Sequence, residues 1–347
     1  MAALARTHEP GIARVRVRVL APGLFTTVQD GGRPHHRHLG VPLGGALDVL
    51  AFRSANRLVG NAEDCAALEV TGAGPKLAFE APAAVALCGA DFLAYVDGEP
   101  LPVQRPVWLG GGAVLEIRNA RRGFRGYLAI RGGFLVEQVL DSRSALPRYG
   151  IGKLLAAGGE MTYQPGPAAP PAGFRAISPR AAVAPFQVGG WLDQIEDEIV
   201  ILRVVRGEQA DWFDEGARRA FFDRTWQVAP RSDRMGLRLR GEPLCAPIRQ
   251  LASEPVVPGS VQVPQDGLPI VLMRECQTTG GYPKLATVIS ADLDKLAHLR
   301  PGSSVRFVEV SFEEAFRLRR VHDRLARVWL RFVAERARQA WGSGGGD

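Results

Sequence analysis

The densest run of chemically capable side chains in this 347-residue sequence is QTTGGYPKLATV, from Gln277 to Val288. Within eight positions it sets the amide of Gln277, the hydroxyls of Thr278 and Thr279, the paired Gly280 and Gly281, the phenol of Tyr282 and the amine of Lys284. Successive glycines let backbone N–H groups converge on an anion, and a lysine beside them adds a compact positive charge. Such a loop suits a carboxylate, a phosphate or a developing oxyanion. A plain glycine turn carrying a surface lysine is the other reading. Only four of the 43 basic residues are Lys, so a lysine placed here, where the chain otherwise uses Arg, points to its amine.

A second polar stretch runs from Thr26 to Asp48 and holds Gln29, Asp30, Arg33, His35, His36, His38 and two glycine turns. It is either a solvated surface or the wall of a site. The three histidines lack the i, i+4 pairing of a helical zinc site, so no metal is expected. Asp30 and Asp48 are able to hold a substrate nitrogen, although Asp48 is better placed to cap a following helix. In a third stretch, RSDRMGLRLRG, Arg234 can grip an anion with two N–H groups or take part in an ordinary salt bridge. No GxxxxGK[ST] phosphate loop, dinucleotide fingerprint or GxSxG elbow occurs, so any ATP chemistry must be completed elsewhere.

The elements that position these residues read as mainly β. With 40 Gly and 25 Pro between short β-rich runs, the chain has the punctuation of an all-β fold. Arg14 to Val19 alternates Arg and Val, a period of two that fits a half-buried strand. Further strands are expected at 83–87, 92–96, 113–117 and 126–130, with Asp97-Gly98 as a tight hairpin turn and a helix over Leu47 to Val59. The second half repeats the plan. Glu198 to Arg206 reads as a strand, Asp211 to Phe222 as a helix, Asp266-Gly267 as a hairpin, 285–290 and 305–310 as strands, and Asp292 to Leu299 as a short helix.

These elements divide the chain into an N-terminal tail (1–13), a first barrel (14–162), an Ala/Pro/Gly-rich linker (163–190), a second barrel (191–311) and a basic helical tail (312–347). In the tail, Leu318, Val321, Leu325, Val328 and Phe332 recur at helical spacing. Docking on the second barrel, binding to a partner and contact with a membrane are the readings, in that order.

Net charge is +7, but eight Arg against three Glu and one Asp between Phe312 and Trp341 account for +4 of it, which leaves a mildly basic body and no case for nucleic acid. No apolar run is long enough for a membrane helix and the first residues do not form a secretion signal, so a cytoplasmic protein without a membrane partner is expected. The four scattered cysteines fit reduced thiols.

At these same residues the sequence resembles the 5-oxoprolinase C-subunit family, which includes the KipA-like proteins and the second subunit of allophanate hydrolase and is related to the carboxyltransferase domain of urea carboxylase. The matching blocks are GLFTTVQDGGRP, HLGVPLGGALD, ANRLVGNAEDCAALE, RGYLAIRGG, SDRMGLRLRG and SVQVPQDGLPIVLMRECQTTGGYPKLATVISADL. The resemblance implies two cyclophilin-like β-barrel halves. It also implies an ATP-dependent complex, using Mg, in which a KipI-like and a LamB/YcsF-like subunit work with this chain to open the cyclic amide 5-oxoproline to L-glutamate. The ATP site is not assignable to this chain. Carried over onto this sequence, the family pattern puts Lys284 in the site as the catalytic residue, with Thr278, Thr279, Gly280 and Gly281 lining it and Gln29, Asp30 and Arg33 as further carry-overs.

The chain departs from the family at Gly44, where relatives commonly have Ser, and at Ser144 to Leu146, which reads Ser-Ala-Leu in place of Ser-Thr-Tyr. These lost hydroxyls bear on substrate identity more than on fold. Two other functions share the same folds: a carboxyltransferase or allophanate hydrolase subunit of a biotin-dependent urea pathway, and a regulator that binds a KipI-like kinase inhibitor.

Overall fold

The computed structural model describes residues 5–6, 13–189 and 198–342. Most of the 1–13 tail, residue 190 of the expected linker, the first residues of the expected second barrel (191–197) and 343–347 lie outside the described residues. The chain forms two compact units, neither of which is a continuous stretch of sequence. Unit 1 comprises 1–32, 49–194 and 326–347; unit 2 comprises 33–48 and 195–325. Expected barrel boundaries at 14–162 and 191–311 therefore shift, because the loop 33–48 belongs with the second half and the end of the C-terminal helix with the first.

Unit 1 is built on an eleven-stranded sheet. In its strand Val15–Ala21, Val17 and Val19 are buried while Arg16 and Arg18 face solvent, as the alternation predicts. The runs expected as four separate strands are two long ones, Ala83–Val96 and Val114–Ile130. They pair antiparallel over most of their length, with register shifts around Asp91 and Phe92. Gly89, at φ +99°, sits where a Cβ would meet the Arg125 carbonyl oxygen at 2.7 Å, so a side chain there would push the two strands apart. Asp97 and Gly98 both have positive φ and turn the hairpin between Val96 and Glu99, as expected. Helix α1 (Val49–Leu58) buries Ala51, Phe52, Ala55 and Leu58, which recur at helical spacing.

The Ala/Pro/Gly-rich stretch is not a linker. Arg175–Ser178 and Ala181–Val183 form a hairpin whose second strand pairs with Val107–Leu109, and the Trp108 indole donates to the Pro167 carbonyl at 2.8 Å. Strands of three and four residues are too short to show a period, so composition concealed them.

Unit 2 contains a closed seven-stranded barrel in the order Ile199–Arg206, Lys284–Val288, Ser260–Gln262, Ile270–Leu272, Gly236–Arg240, Trp226–Val228, Ser304–Glu309. It closes where Ser304–Glu309 runs parallel to Ile199–Arg206. Apolar side chains meet across these ladders, as in Leu202 opposite Phe307, Val204 opposite Val288 and Val261 opposite Ala286. Helix α2 (Glu215–Asp223) starts on an Asp214 cap that accepts from the Ala217 N–H at 2.7 Å, and it sets Phe221 in a stack on Phe307, 4.4 Å between centroids. A 3-10 turn (Ser290–Asp292) leads into the short helix α3 (Leu293–Leu296).

Helix α4 (Phe312–Trp341) is the longest. Its buried residues are Leu330, Val333 and Ala337, and the indoles of Trp329 and Trp341 donate to Ser54 Oγ and the Leu58 carbonyl, both on α1. The apolar stripe read from the sequence is not the covered face: Leu318 is half-buried, and Val321, Leu325, Val328 and Phe332 are 44%, 63%, 61% and 50% exposed. Docking of that stripe on the second barrel is thereby overturned.

Candidate functional site

Lys284 opens the barrel strand Lys284–Val288, with Gln262 opposite it in the ladder. Its side chain is buried, which removes the surface-lysine reading. The Nζ lies 2.6 Å from Glu208 Oε2 and 2.8 Å from Glu254 Oε1. Gln209 joins the same network, since its Oε1 accepts from the Lys284 N–H at 3.1 Å and its Nε2 donates to Glu254 Oε1 at 2.9 Å.

Close backbone packing places Glu208. It follows Gly207, which comes directly after the barrel strand Ile199–Arg206 and donates to the Leu285 carbonyl at 3.0 Å, while the Gln209 N–H donates to the Lys284 carbonyl. Any Cβ on Gly207 would stand 2.2 Å from the Lys284 carbonyl oxygen, so only glycine lets the Glu208 loop reach this strand. Glu254 arrives on a two-residue strand, Glu254–Pro255, paired with Thr279–Gly280. The TTGG loop thus carries one carboxylate of the site on its own ladder.

Burial pulls the Lys284 pKa down, but the hydrogen bonds and charges of Glu208 and Glu254 outweigh it and hold it above the ordinary lysine value. The amine is therefore charged throughout the neutral range. Two of its three N–H donors are taken by carboxylates, which leaves one for a ligand carbonyl or carboxylate among the described residues. With Glu208 side-chain exposure at 72% and Tyr282 at 49%, the cluster opens to solvent on that side. It can therefore offer a carbonyl oxygen a fixed cation and an amide N–H a carboxylate at the same opening.

The rest of the loop differs from the expected anion nest. Neither Gly280 nor Gly281 has positive φ, and Thr279–Gly280 is extended strand, whereas converging N–H groups require alternation into the left-handed region. Gly280 serves close packing instead, because a Cβ there would lie 2.8 Å from the Gln262 amide nitrogen and 3.2 Å from that of Gln277. Thr279 and Tyr282 are exposed, and Thr278 and Gln277 are half-buried.

Arg234 is buried, with Nε 2.5 Å from Glu275 Oε1 and Nη2 2.7 Å from the Gly45 carbonyl. Together with the Arg274 Nε bond to the Gly44 carbonyl at 2.8 Å, it fastens the segment 33–48 to unit 2. That segment is secured at its end by Asp48, whose Oδ2 is 2.8 Å from His298 Nε2, with both side chains buried. Arg33, fully buried, belongs to the same segment. The ordinary salt-bridge reading of Arg234 describes its bonds.

Gln29 and Asp30 lie in unit 1. The Gln29 amide donates to Thr27 Oγ1 and the Ala145 carbonyl. Asp30 accepts at Oδ1 from the Gly32 N–H and the Ser142 and Ser144 hydroxyls, and at Oδ2 from the Arg143 N–H, at 2.5 to 2.8 Å. So many donors commit this carboxylate to ordering the 142–144 loop rather than to a substrate nitrogen. Sequence reasoning missed Glu208, Gln209, Glu254 and His298. The Gly-Glu-Gln following a β-branched strand was the available signal for the first two; nothing local marked the others.

Residues 39–309 match the family described as carboxyltransferase domain, subdomain A and B. The chain is 36% identical to the 5-oxoprolinase C-subunit of Escherichia coli (strain K12) over 319 residues, 89% of this chain and 96% of that one. Its identity to the 5-oxoprolinase C-subunit of Haemophilus influenzae is 34% over 303 residues, 86% of this chain and 92% of that one. Among solved structures, the urea amidolyase of K. lactis superposes with a TM-score of 0.75 at 27% identity, covering 90% of this chain but 20% of that much longer one. A match over most of the chain and relatives at 34% to 36% identity place this chain in the carboxyltransferase-domain family to which the 5-oxoprolinase C-subunits are similar.

Proposed function

We propose that this chain is the C-subunit of an ATP-dependent 5-oxoprolinase, working in the cytoplasm with a KipI-like and a LamB/YcsF-like subunit to open 5-oxoproline to L-glutamate. The observation that carries the reading is Lys284 held between Glu208 and Glu254 beside the TTGG loop. A lactam presents a carbonyl oxygen and an N–H on adjacent atoms. The free N–H of the Lys284 ammonium suits the oxygen as it gains negative charge, and a Glu208 or Glu254 carboxylate suits the lactam N–H. Thr278, Thr279, Gln277 and Tyr282 line the opening and orient the ring.

ATP supplies the driving force for opening a stable amide. The Lys284 surroundings do not fit a polyphosphate or its Mg, because the lysine cation is already matched by two carboxylates, Gly280 is in a strand and neither glycine has the positive φ of an anion nest. ATP is therefore assigned to the other subunits.

The experiment is reconstitution. The purified chain alone is expected to release neither glutamate from 5-oxoproline nor phosphate from ATP, and both activities should appear on mixing with the KipI-like and LamB/YcsF-like proteins. Turnover by this chain alone, free of partner, overturns the reading. The K. lactis urea amidolyase likeness favours a second reading, a carboxyltransferase subunit using carboxybiotin and urea. Transfer of the carboxyl group from carboxybiotin to a urea nitrogen, forming N-carboxyurea and free biotin, with no activity on 5-oxoproline, would select it.

A further inference from the structure

Glu208, Gln209 and Glu254, all of unit 2, meet at Lys284, and the orientation of Gln209 follows by elimination. The Lys284 backbone N–H only donates, so the Gln209 atom facing it at 3.1 Å is the amide oxygen, and the amide nitrogen is left for Glu254 Oε1 at 2.9 Å. Gln209 is buried and cannot flip without losing both bonds. Glu254 Oε1 therefore receives two donors, the Gln209 amide and the Lys284 ammonium, while Oε2 accepts from none of the described residues. The Glu254 backbone is fixed as well, opposite Gly280 in its two-stranded ladder.

The two carboxylates are thus unlike. Glu208 has one oxygen on the ammonium, no second partner among the described residues, and 72% exposure. Water competes for a ligand N–H there, whereas Glu254, at 28%, presents a braced oxygen with less water around it.

The Lys284 ammonium and the Glu254 carboxylate, 2.8 Å apart, set a donor and an acceptor side by side. In an amide the oxygen and nitrogen are about 2.2 Å apart across the carbonyl carbon. One ligand edge meets both groups when its C=O and N–H point the same way. A small ring forces that arrangement, and urea has it at each nitrogen. An open-chain secondary amide is trans and turns the two to opposite sides.

We propose that this pair selects amides whose carbonyl oxygen and N–H share one edge, with Lys284 on the oxygen, Glu254 Oε2 on the N–H, and Gln209 as the positioning residue that keeps Oε2 turned to the ligand. The choice of 5-oxoproline as that amide rests on the function proposed above; the shared-edge requirement does not, since urea meets it too.

Binding is read by titration calorimetry on the full chain and on the complex reconstituted with the KipI-like and LamB/YcsF-like proteins. The probes are 5-oxoproline, urea, N-methyl-5-oxoproline, which lacks the N–H, and N-acetylalanine, which is 5-oxoproline with its ring opened at one C–C bond. N-acetylalanine should bind on the order of 100-fold more weakly than 5-oxoproline, the scale of the trans preference of an open amide. N-methyl-5-oxoproline should bind on the order of tenfold more weakly, the scale of a hydrogen bond lost from a carboxylate. In Glu254→Gln the two donors at Oε1 hold the amide oxygen in place, so an NH2 group faces the ligand N–H. The preference for 5-oxoproline over its N-methyl form should then vanish, and Gln209→Met, which releases Glu254, should reduce it. A merely structural loss weakens both ligands alike and leaves their ratio unchanged.

The wild-type ratio retained in either variant, with unfolding curves that verify folding, overturns the proposal. So does N-acetylalanine binding as well as 5-oxoproline, or failure of both 5-oxoproline and urea to bind the chain and the complex. The expected ratios in a complex that turns over no 5-oxoproline overturn the proposed function and support the shared-edge requirement. Binding of urea but not of 5-oxoproline, lost in Glu254→Gln, supports that requirement and assigns it to urea.

Discussion

The carbonyl oxygen of Lys284 lies 2.2 Å from where a Cβ on Gly207 would stand, so the loop bearing Glu208 reaches the lysine strand only because residue 207 has no side chain. The obstructing atom is backbone on a barrel strand, which cannot swing aside. Gly207→Ala should therefore destabilise the chain by about 1 to 3 kcal/mol, the scale of overpacking a filled site. Urea unfolding measures the loss, and reconstituted turnover should fall too as Glu208 moves off Lys284. A variant as stable and active as wild type would mean that the two strands separate freely here.

Lys284→Met keeps most of the stem volume. Glu208 and Glu254 retain 72% and 28% side-chain exposure, so water can take over their charges and folding should survive. If the amine meets developing negative charge, turnover of the reconstituted complex should drop about 100 to 1,000-fold. Lys284→Arg should fail as well, because a planar guanidinium cannot occupy the place of a compact ammonium between two carboxylates. Steady-state kinetics near wild type in Lys284→Met would remove the residue from the chemistry.

Asp292 is wholly buried and accepts from Arg203 at its backbone N–H and Nε, each at 2.9 Å, and at Nη2 at 2.5 Å, with Lys295 3.0 Å away. Burial pushes its pKa up, but the Arg203 hydrogen bonds and the Lys295 charge outweigh that and hold it below the usual 3.8. A lowered folded-state value means stability that is present above the unfolded pKa and is lost as pH falls through the folded one. Asp292→Asn should cost about 3 kcal/mol at neutral pH, toward the lower end for a broken buried pair because Arg203 keeps 30% exposure. Stability against pH should also be flatter below about 4 in the variant. Parallel acid titrations of unfolding in the two proteins would contradict this.

His298→Ala should cost about 1 to 3 kcal/mol, since it strips a partner from the buried Asp48 carboxylate. The loss should concentrate where the 33–48 segment is fastened, so hydrogen exchange there should speed up more than in the first unit. Uniform change across both units would show that the pair does not hold this segment locally.

How far the sequence speaks depends on whether a signal is local. Alternation in Val15–Ala21 and the Asp97-Gly98 turn were legible because each is settled by neighbours two or three residues apart. Lys284 stood out by its rarity and its glycines, but its carboxylate partners did not. Glu208 lies 76 positions away along the chain, and only the barrel ladder brings it near. In α4, periodicity revealed an apolar face but not whether that face is the covered one, because the face that is buried carries only Leu330, Val333 and Ala337, fewer apolar side chains than the exposed stripe.

The interleaved course of the chain also restricts how this gene can be divided. Unit 2 takes its first piece from 33–48 and unit 1 its last from 326–347, so no single cut yields two fragments that each hold one whole unit. A truncation meant to isolate the barrel would discard Leu47 from its core and Asp48 from His298, and one meant to isolate the first half would lose the α4 turns bearing Leu330 and Val333. Expression trials, fusion designs and split reporters built on this family should therefore treat both units as one heritable cassette, with breakpoints placed outside it.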